Sequence, residues 1–196
     1  MSWIKHPTIL QGKNVDLLPL EEKHFLDLLE IGKQEKIWEF YSVNYGSPDT
    51  MLTQLKSSLL KRATDEQYVF VVFHKRDNRI VGCTSFLNIF PQYRKLEIGW
   101  TWYSPEYWNT GLNTECKYLL MKYCFETLKT IRVQWQTSYH NIRSRKAIEK
   151  IGAKFEGILR NERINENGTY RSSAMYSVIE SEWPDVKVNL EKKLTL

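Results

Sequence analysis

The chain has 196 residues, of which 42% are hydrophobic, 13% aromatic and 26% charged, a globular composition rather than a disordered or fibrous one. At this length about 70% of the unfolded surface is buried on folding, so a core forms without disulfide or metal support. Net charge is +5, and no apolar run approaches the roughly 18 residues of a membrane span.

The first short strand is read at Asn14–Leu18. Leu20, His24, Phe25, Leu28, Leu29 and Ile31 then recur at helical spacing, with Gly32 placed to stop the helix. Ser47-Pro48 opens a second helix, running to about Ala63. Tyr68–Phe73 (YVFVVF) reads as a strand covered on both faces, and a polar turn at Lys75–Arg79 folds it onto Ile80–Phe90. Lys95–Tyr103 alternates, which puts Leu96, Ile98, Trp100 and Trp102 on one face and Glu97, Gly99, Thr101 and Tyr103 on the other. Leu112, Cys116, Leu119, Leu120 and Tyr123 mark an amphipathic helix. Arg132–Thr137 is a strand and Ser144–Ile151 a short helix that Gly152 terminates. Lys154–Ile164 and Tyr170–Ile179 form a hairpin across Asn165–Thr169, and Ser181 is expected to cap a last helix over residues 182–193. No linker or repeat divides the chain. The order β-α-α-β-β-β-α-β-α-β-β predicts one domain over residues 1–196, with a core from about 10 to 180, built on a mixed α/β sheet with antiparallel hairpins and a helical crossover.

Cys83, Cys116 and Cys124 are odd in number and scattered. That excludes a disulfide framework and a paired-cysteine zinc site, and points to reduced thiols in the cytoplasm. The opening MSWIKHPTILQGK shows no apolar core before a cleavage site, so no secretory signal is expected. His6, His24, His74 and His140 show no metal-ligand spacing, and no metal is expected. The basic excess is local: Lys129–Arg163 holds nine Lys or Arg against three Glu, a net +6. This is either a solvated helix face or a surface for a phosphate-bearing partner. The segment lacks the signatures of sequence-specific nucleic-acid readers.

The junction after Tyr103 is the most informative segment. Pro105 breaks the strand, Gly111 permits close approach of a ligand, and the helix that follows exposes unpartnered N–H groups where anions bind. It fits neither the dinucleotide-binding fingerprint nor the P-loop. Tyr107-Trp-Asn-Thr-Gly-Leu-Asn-Thr-Glu115 resembles the acetyl-CoA-binding turn of the GNAT acetyltransferases, in the branch that includes the ribosomal-protein N-terminal acetyltransferases. Gly12–Leu20 is similar to that branch's opening strand, and Asn141–Arg160 to its Asn-x-x-Ser and Glu-Gly block. The resemblance spans about residues 10–180, with Trp108 at the Gln/Arg position of the motif, Asn109 where Gly is common and Asn113 in place of a small residue.

The resemblance implies the GNAT fold, a mostly antiparallel sheet with two central splayed parallel strands flanked by helices. It implies acetyl-CoA as cosubstrate, held by Trp102, Tyr103, Trp108, Asn109, Thr110, Gly111, Leu112, Asn113, Thr114, Asn141 and Ser144. Main-chain N–H groups at Trp102-Tyr103 would polarise the thioester, Asn141 would bond the pantetheine arm, and Ser144 would protonate the leaving thiolate. Asn141 and Ser144 are equally readable as helix caps. Arg143, Arg145, Lys146 and Lys150 could surround the phosphates. Glu97, fourteen residues before Gly111, is the candidate proton acceptor or else one half of a structural ion pair, with Glu162 second. Trp38–Tyr41 lines the acceptor cleft or packs. The expected acceptor is a protein N-terminal amine, with a small-molecule amine or a non-catalytic acyl-CoA-binding module as alternatives, in a monomer or dimer.

Overall fold

The computed structural model describes residues 2–195. Residues that alternate or run apolar in the sequence form one eight-stranded sheet: β1 (Leu10–Gln11), β2 (Val15–Pro19), β3 (Gln67–His74), β4 (Arg79–Phe90), β5 (Lys95–Tyr103), β6 (Arg132–Ser138), β7 (Lys154–Ile164) and β8 (Tyr170–Ile179), in the order β1-β2-β3-β4-β5-β6-β8-β7. Five α-helices flank it: α1 (Phe25–Gly32), α2 (Pro48–Ala63), α3 (Leu112–Lys122), α4 (Ile142–Lys150) and α5 (Trp183–Leu194). Every strand pair is antiparallel except β5–β6. No helix among the described residues is long and apolar enough to cross a membrane.

The two faces of the sheet carry separate cores. Phe70 and Val72 of β3 join Phe86, Leu96 and Ile98 beneath α3 and α5, whereas Val69 and Val71 join Leu28, Met51 and Leu55 of α1 and α2. The continuous apolar run that predicted β3 as doubly covered is therefore met by helices on both sides. On β6 and β8 only one face is apolar: Val133, Trp135, Ala174, Tyr176 and Val178 sit under α4 and α5. Gln134, Gln136, Ser138, Arg171 and Ser173 alternate with them and face the other way.

Four elements depart from the sequence reading. A two-residue strand, β1, precedes the one expected to be first and pairs with it, Leu10 opposite Leu17. Ser181 caps nothing; it lies in a turn in which Glu182 Oε2 accepts from the Ile179 N–H, and α5 starts at Trp183. Helix α4 starts two residues earlier than expected, with Asn141 as its cap. Strand β5 does not alternate throughout. The β4 ladder steps from Cys83–Trp102 to Ser85–Gly99, so one β4 residue opposes two of β5. Trp100 takes the left-handed region at φ +43 as the bulged residue. Beyond it the faces invert: Leu96 and Ile98 belong to the α3 side, and Trp102, with Trp100 packed beside it, to the α1–α2 side. Both tryptophans thus share a face with Glu97 rather than opposing it.

Candidate active site

The parallel pair is short. β5 and β6 match only at Lys95–Arg132, Leu96–Val133 and Glu97–Gln134, after which β5 stays with β4 and β6 with β8. From Ile98 onward, through Trp102 and Tyr103, β5 therefore borders an opening in the sheet. Because the two strands are parallel, α3 and α4 both begin at the same end of that opening. The first turn of α4 reaches the loop before α3, with Arg143 Cζ 3.8 Å from the centre of the Trp108 ring, a close cation–π contact.

That loop is shaped for an anion. Pro105–Tyr107 makes one tight turn, Trp108 Nε1 donates to the Tyr103 carbonyl at 3.1 Å, and Thr110 Oγ1 donates to the Tyr107 carbonyl at 2.8 Å. Asn109 and Gly111 both take positive φ, +63 and +90, so the N–H groups converge as in an anion-binding nest. Among the described residues the N–H groups of Thr110, Gly111, Asn113 and Thr114 find no acceptor, whereas Leu112 N–H donates to Thr110 Oγ1. A Cβ on Gly111 would meet nothing within 4 Å. Leu112 and Thr114 are buried and contribute only main chain here. Asn113 is half-buried, and the Tyr103 hydroxyl donates to its Oδ1 at 3.1 Å. That bond fixes the amide and leaves both Nδ2 hydrogens unpaired among the described residues. Free N–H groups, a positive helix terminus and open space suit a phosphate-bearing ligand.

Glu97 lies where the strands part, only 4% exposed. Asn88 Nδ2 and Gln134 Nε2 donate to its Oε2 at 3.0 and 3.3 Å, so Oε1 is left without a partner among the described residues. Gly99 makes room for it, since a Cβ there would lie 3.2 Å from Oε1. Burial pushes the Glu97 carboxyl above the usual range, outweighing the two amide donors. It forms no ion pair among the described residues, so a structural salt bridge does not account for it. Glu162 does pair, with Arg163 at 3.0 Å, and accepts from Ser173 Oγ at 3.1 Å.

Asn141 and Ser144 meet at the start of α4, where Ser144 N–H donates to Asn141 Oδ1 at 2.9 Å. The cap uses only one side of each residue: Asn141 Nδ2 and the Ser144 hydroxyl have no partner among the described residues. The basic residues divide. Arg145 is taken up by Tyr176 Oη at 3.0 Å and the Tyr139 carbonyl at 3.4 Å, so it faces β8 rather than the opening. Lys150 stands at the far end of α4, whereas Arg143 stacks on Trp108 in the loop.

On the α1–α2 side, a cleft of about 370 Å³ is lined by Glu39, Tyr41, Ser42, Ser138, Glu166 and Arg171, among others. Its walls are far apart in sequence: Glu166 N–H donates to the Ser42 carbonyl at 3.2 Å, and Arg171 Nη1 to Ser42 Oγ at 3.0 Å. Trp38 packs against Tyr41, Tyr45 and Trp102 at 5.2–5.3 Å between ring centres, so it is core, while Glu39 to Tyr41 line the cleft. Arg171 Nε is a buried donor without an acceptor among the described residues, whereas the Gln136 amide lies within reach of the Glu162 carboxylate and helps hold its pKa down. Ser138 and Gln136 share one face of β6, and Arg171 lies on the same face of β8. Sequence reasoning missed both. The polar half of each strand's alternation was the available signal.

Residues 14–154 match the family described as the acetyltransferase (GNAT) domain. YdaF of Bacillus subtilis (strain 168), provisionally named a ribosomal N-acetyltransferase, is 28% identical over 88% of this chain and 94% of its own length. A GCN5-related N-acetyltransferase from Brucella melitensis superposes with a TM-score of 0.87 at 27% identity, over 96% of this chain and 86% of that one. RimJ of Mycobacterium smegmatis, solved with CoA-disulfide, shares the fold at a TM-score of 0.79 and 16% identity, over 96% and 92% of the two chains.

Proposed function

The chain belongs to the GNAT acetyltransferase family, and from that premise we propose that it acetylates the α-amine at the N-terminus of a protein, using acetyl-CoA. The family's cosubstrate supplies an acetyl thioester. The unpartnered N–H groups of Thr110, Gly111, Asn113 and Thr114 hold its pyrophosphate, with Asn113 Nδ2 as a side-chain donor and Arg143 nearby. Asn141 Nδ2 donates to the pantetheine arm, and main-chain N–H groups in the Trp102-Tyr103 region polarise the thioester carbonyl. Glu97 Oε1, whose raised pKa brings it closer to the working range of a general base, takes the proton shed by the amine, directly or through water. The free Ser144 hydroxyl protonates the departing thiolate. An α-amine suits this weak assistance: roughly 10–15% of it is neutral at pH 7, against about 0.04% of a lysine side chain.

The observation that supports the choice of acceptor is Arg171 Nε, a buried donor without an acceptor among the described residues in the wall of the cleft. Such a group calls for an oxygen acceptor, which the carbonyls of a peptide supply and a polyamine lacks. Glu39 and Glu166, in the same cleft, attract the ammonium. YdaF's provisional name points the same way, and the three buried, unpaired thiols suit a reducing cytoplasm. The test is acetylation of a panel of N-terminal peptides against spermidine and spermine. Peptides should be favoured in kcat/KM by about 10²-fold or more, on the scale of buried donors left unpaired. A preference for the polyamines would overturn this acceptor.

A further inference from the structure

Lys117 has no part in the chemistry set out above, yet it is an unusually costly charge. It lies on α3, 4% exposed, and makes no salt bridge among the described residues. The buried carboxylate two residues earlier, Glu115, is occupied by Asn14, accepting from its N–H at 2.8 Å and its Nδ2 at 2.9 Å. Burying an ammonium without a carboxylate is unfavourable, and burial pulls the Lys117 pKa down to about 7. An apolar side chain would fill this position at lower cost, so the amine's contacts require an explanation.

Those contacts fall on the bulge. Lys117 Nζ donates to Thr84 Oγ1 at 3.0 Å and to Thr101 Oγ1 at 2.6 Å, and the two hydroxyls lie 2.7 Å apart. Thr84, Trp100 and Thr101 are the residues at which the β4–β5 ladder is interrupted. Trp100, a bulky residue at positive φ, is strained and must be held by its surroundings. On its other side β5 has already left β6, so no strand supports it there. From the α1–α2 face the Tyr41 hydroxyl donates to the Thr101 carbonyl at 2.9 Å. The bulge is thus pinned from both faces of the sheet, by Tyr41 on one and Lys117 on the other.

We propose that Lys117 is a positioning residue, which clamps Thr84 and Thr101 and thereby fixes the main chain of β5 that borders the opening. The proposal rests on the reading of that opening as the place where the thioester is held. Main-chain donors there must be set to well within an ångström to act on a reacting carbonyl, and a bulge loosened by loss of its clamp would misplace them while the fold persisted.

The experiment compares wild type with Lys117→Met and Thr101→Val. It measures melting temperature, kcat and KM for acetyl-CoA with an N-terminal peptide as acceptor, and amide hydrogen exchange over residues 98–103. Lys117→Met should melt no lower than wild type, because a desolvated charge has been removed. Its kcat should fall about tenfold to 10²-fold, with KM for acetyl-CoA little changed and exchange over 98–103 about tenfold faster. Thr101→Val should behave alike, and the double variant should be no worse than either single one, as expected of one coupled unit. Unchanged kcat and exchange in folded Lys117→Met would reduce Lys117 to packing and overturn the proposal. If Lys117→Met fails to fold, wild-type kcat and exchange in Thr101→Val would overturn it equally. If wild type does not acetylate the peptide, the proposed acceptor falls, and exchange over 98–103 still decides the clamp.

Discussion

Gly111 permits a test that separates folding from ligand binding. It sits at φ +90 at the start of α3 with nothing within 4 Å of where a Cβ would lie. A Cβ there meets nothing, so the cost to the fold is chiefly backbone strain, about 1–2 kcal/mol for an L-residue in the left-handed region. Against a typical stability of about 5–15 kcal/mol, Gly111→Val should fold and melt somewhat lower. The isopropyl group would occupy the space in front of the free N–H groups of Thr110, Gly111 and Asn113. Losing one hydrogen bond to a charged phosphate oxygen costs about 1.5–3 kcal/mol, so acetyl-CoA affinity should fall at least tenfold, about 1.4 kcal/mol. Gly168 supplies the control. It too has positive φ, +79, and open space around it, but it lies in the β7–β8 turn, so Gly168→Val should carry comparable strain and leave cofactor binding alone. The assay is calorimetric titration with acetyl-CoA on variants whose melting curves show them folded. Unchanged affinity in folded Gly111→Val would refute the assignment of this loop to the pyrophosphate.

Two further predictions concern the neighbouring groups. Glu97→Gln should lower kcat by roughly 10²-fold with acetyl-CoA affinity nearly intact. A base works when deprotonated, so wild-type kcat/KM should fall as pH drops through the raised Glu97 pKa, and the variant should lose that limb. A raised carboxyl pKa in the fold means stability lost as pH rises through it; the Gln variant should therefore melt no lower than wild type at neutral pH, and a lower melting point would mark Glu97 as structural. Asn113→Ala removes the donor that Tyr103 orients, and should weaken acetyl-CoA binding about five- to tenfold, up to 1.4 kcal/mol; tighter binding by the Ala variant would show that the side chain obstructs the site.

How far the sequence could be read depended on whether a signal was local. Hairpins, caps and amphipathic stripes are local, and Asn165–Thr169, Gly152 and the span of α2 were all legible from a few neighbouring residues. The strand Lys95–Tyr103 was legible as a strand but not in its facing, because strict period-two counting has no place for the extra residue at Trp100. Gly99 beside it was the available hint, since glycine inside a strand often marks a bulge. Lys117 was illegible for a different reason. The stripe Leu112, Cys116, Leu119 and Leu120 implied one buried face of α3, whereas Asn14 covers Glu115 and α5 covers Tyr118, whose hydroxyl donates to Glu191 Oε1 at 2.8 Å. A helix enclosed on nearly all sides buries what periodicity assigns to solvent. The cleft was beyond reach too, because Ser42 meets Glu166 and Arg171 only after the whole sheet has formed.

The same topology explains why the candidate site lies where it does. The β1–β5 half of the sheet is built of antiparallel neighbours in chain order, and α1 and α2 cover its second face. The β6–β8–β7 half is a second antiparallel unit whose corresponding face bears Gln134, Gln136, Ser138 and Arg171 and has no helix of its own to cover it. Three parallel pairs join the halves, too few to hold them together once β5 bulges at Trp100. Each half therefore contributes one wall to a common opening: β5 and the start of α3 bring the loop with free N–H groups, and β8 with the loop after α1 brings the cleft with Arg171. Glu97 and Gln134, the last matched pair, stand at the point where the walls diverge. A carboxylate at that position faces both walls, and neither half of the sheet alone would place it there.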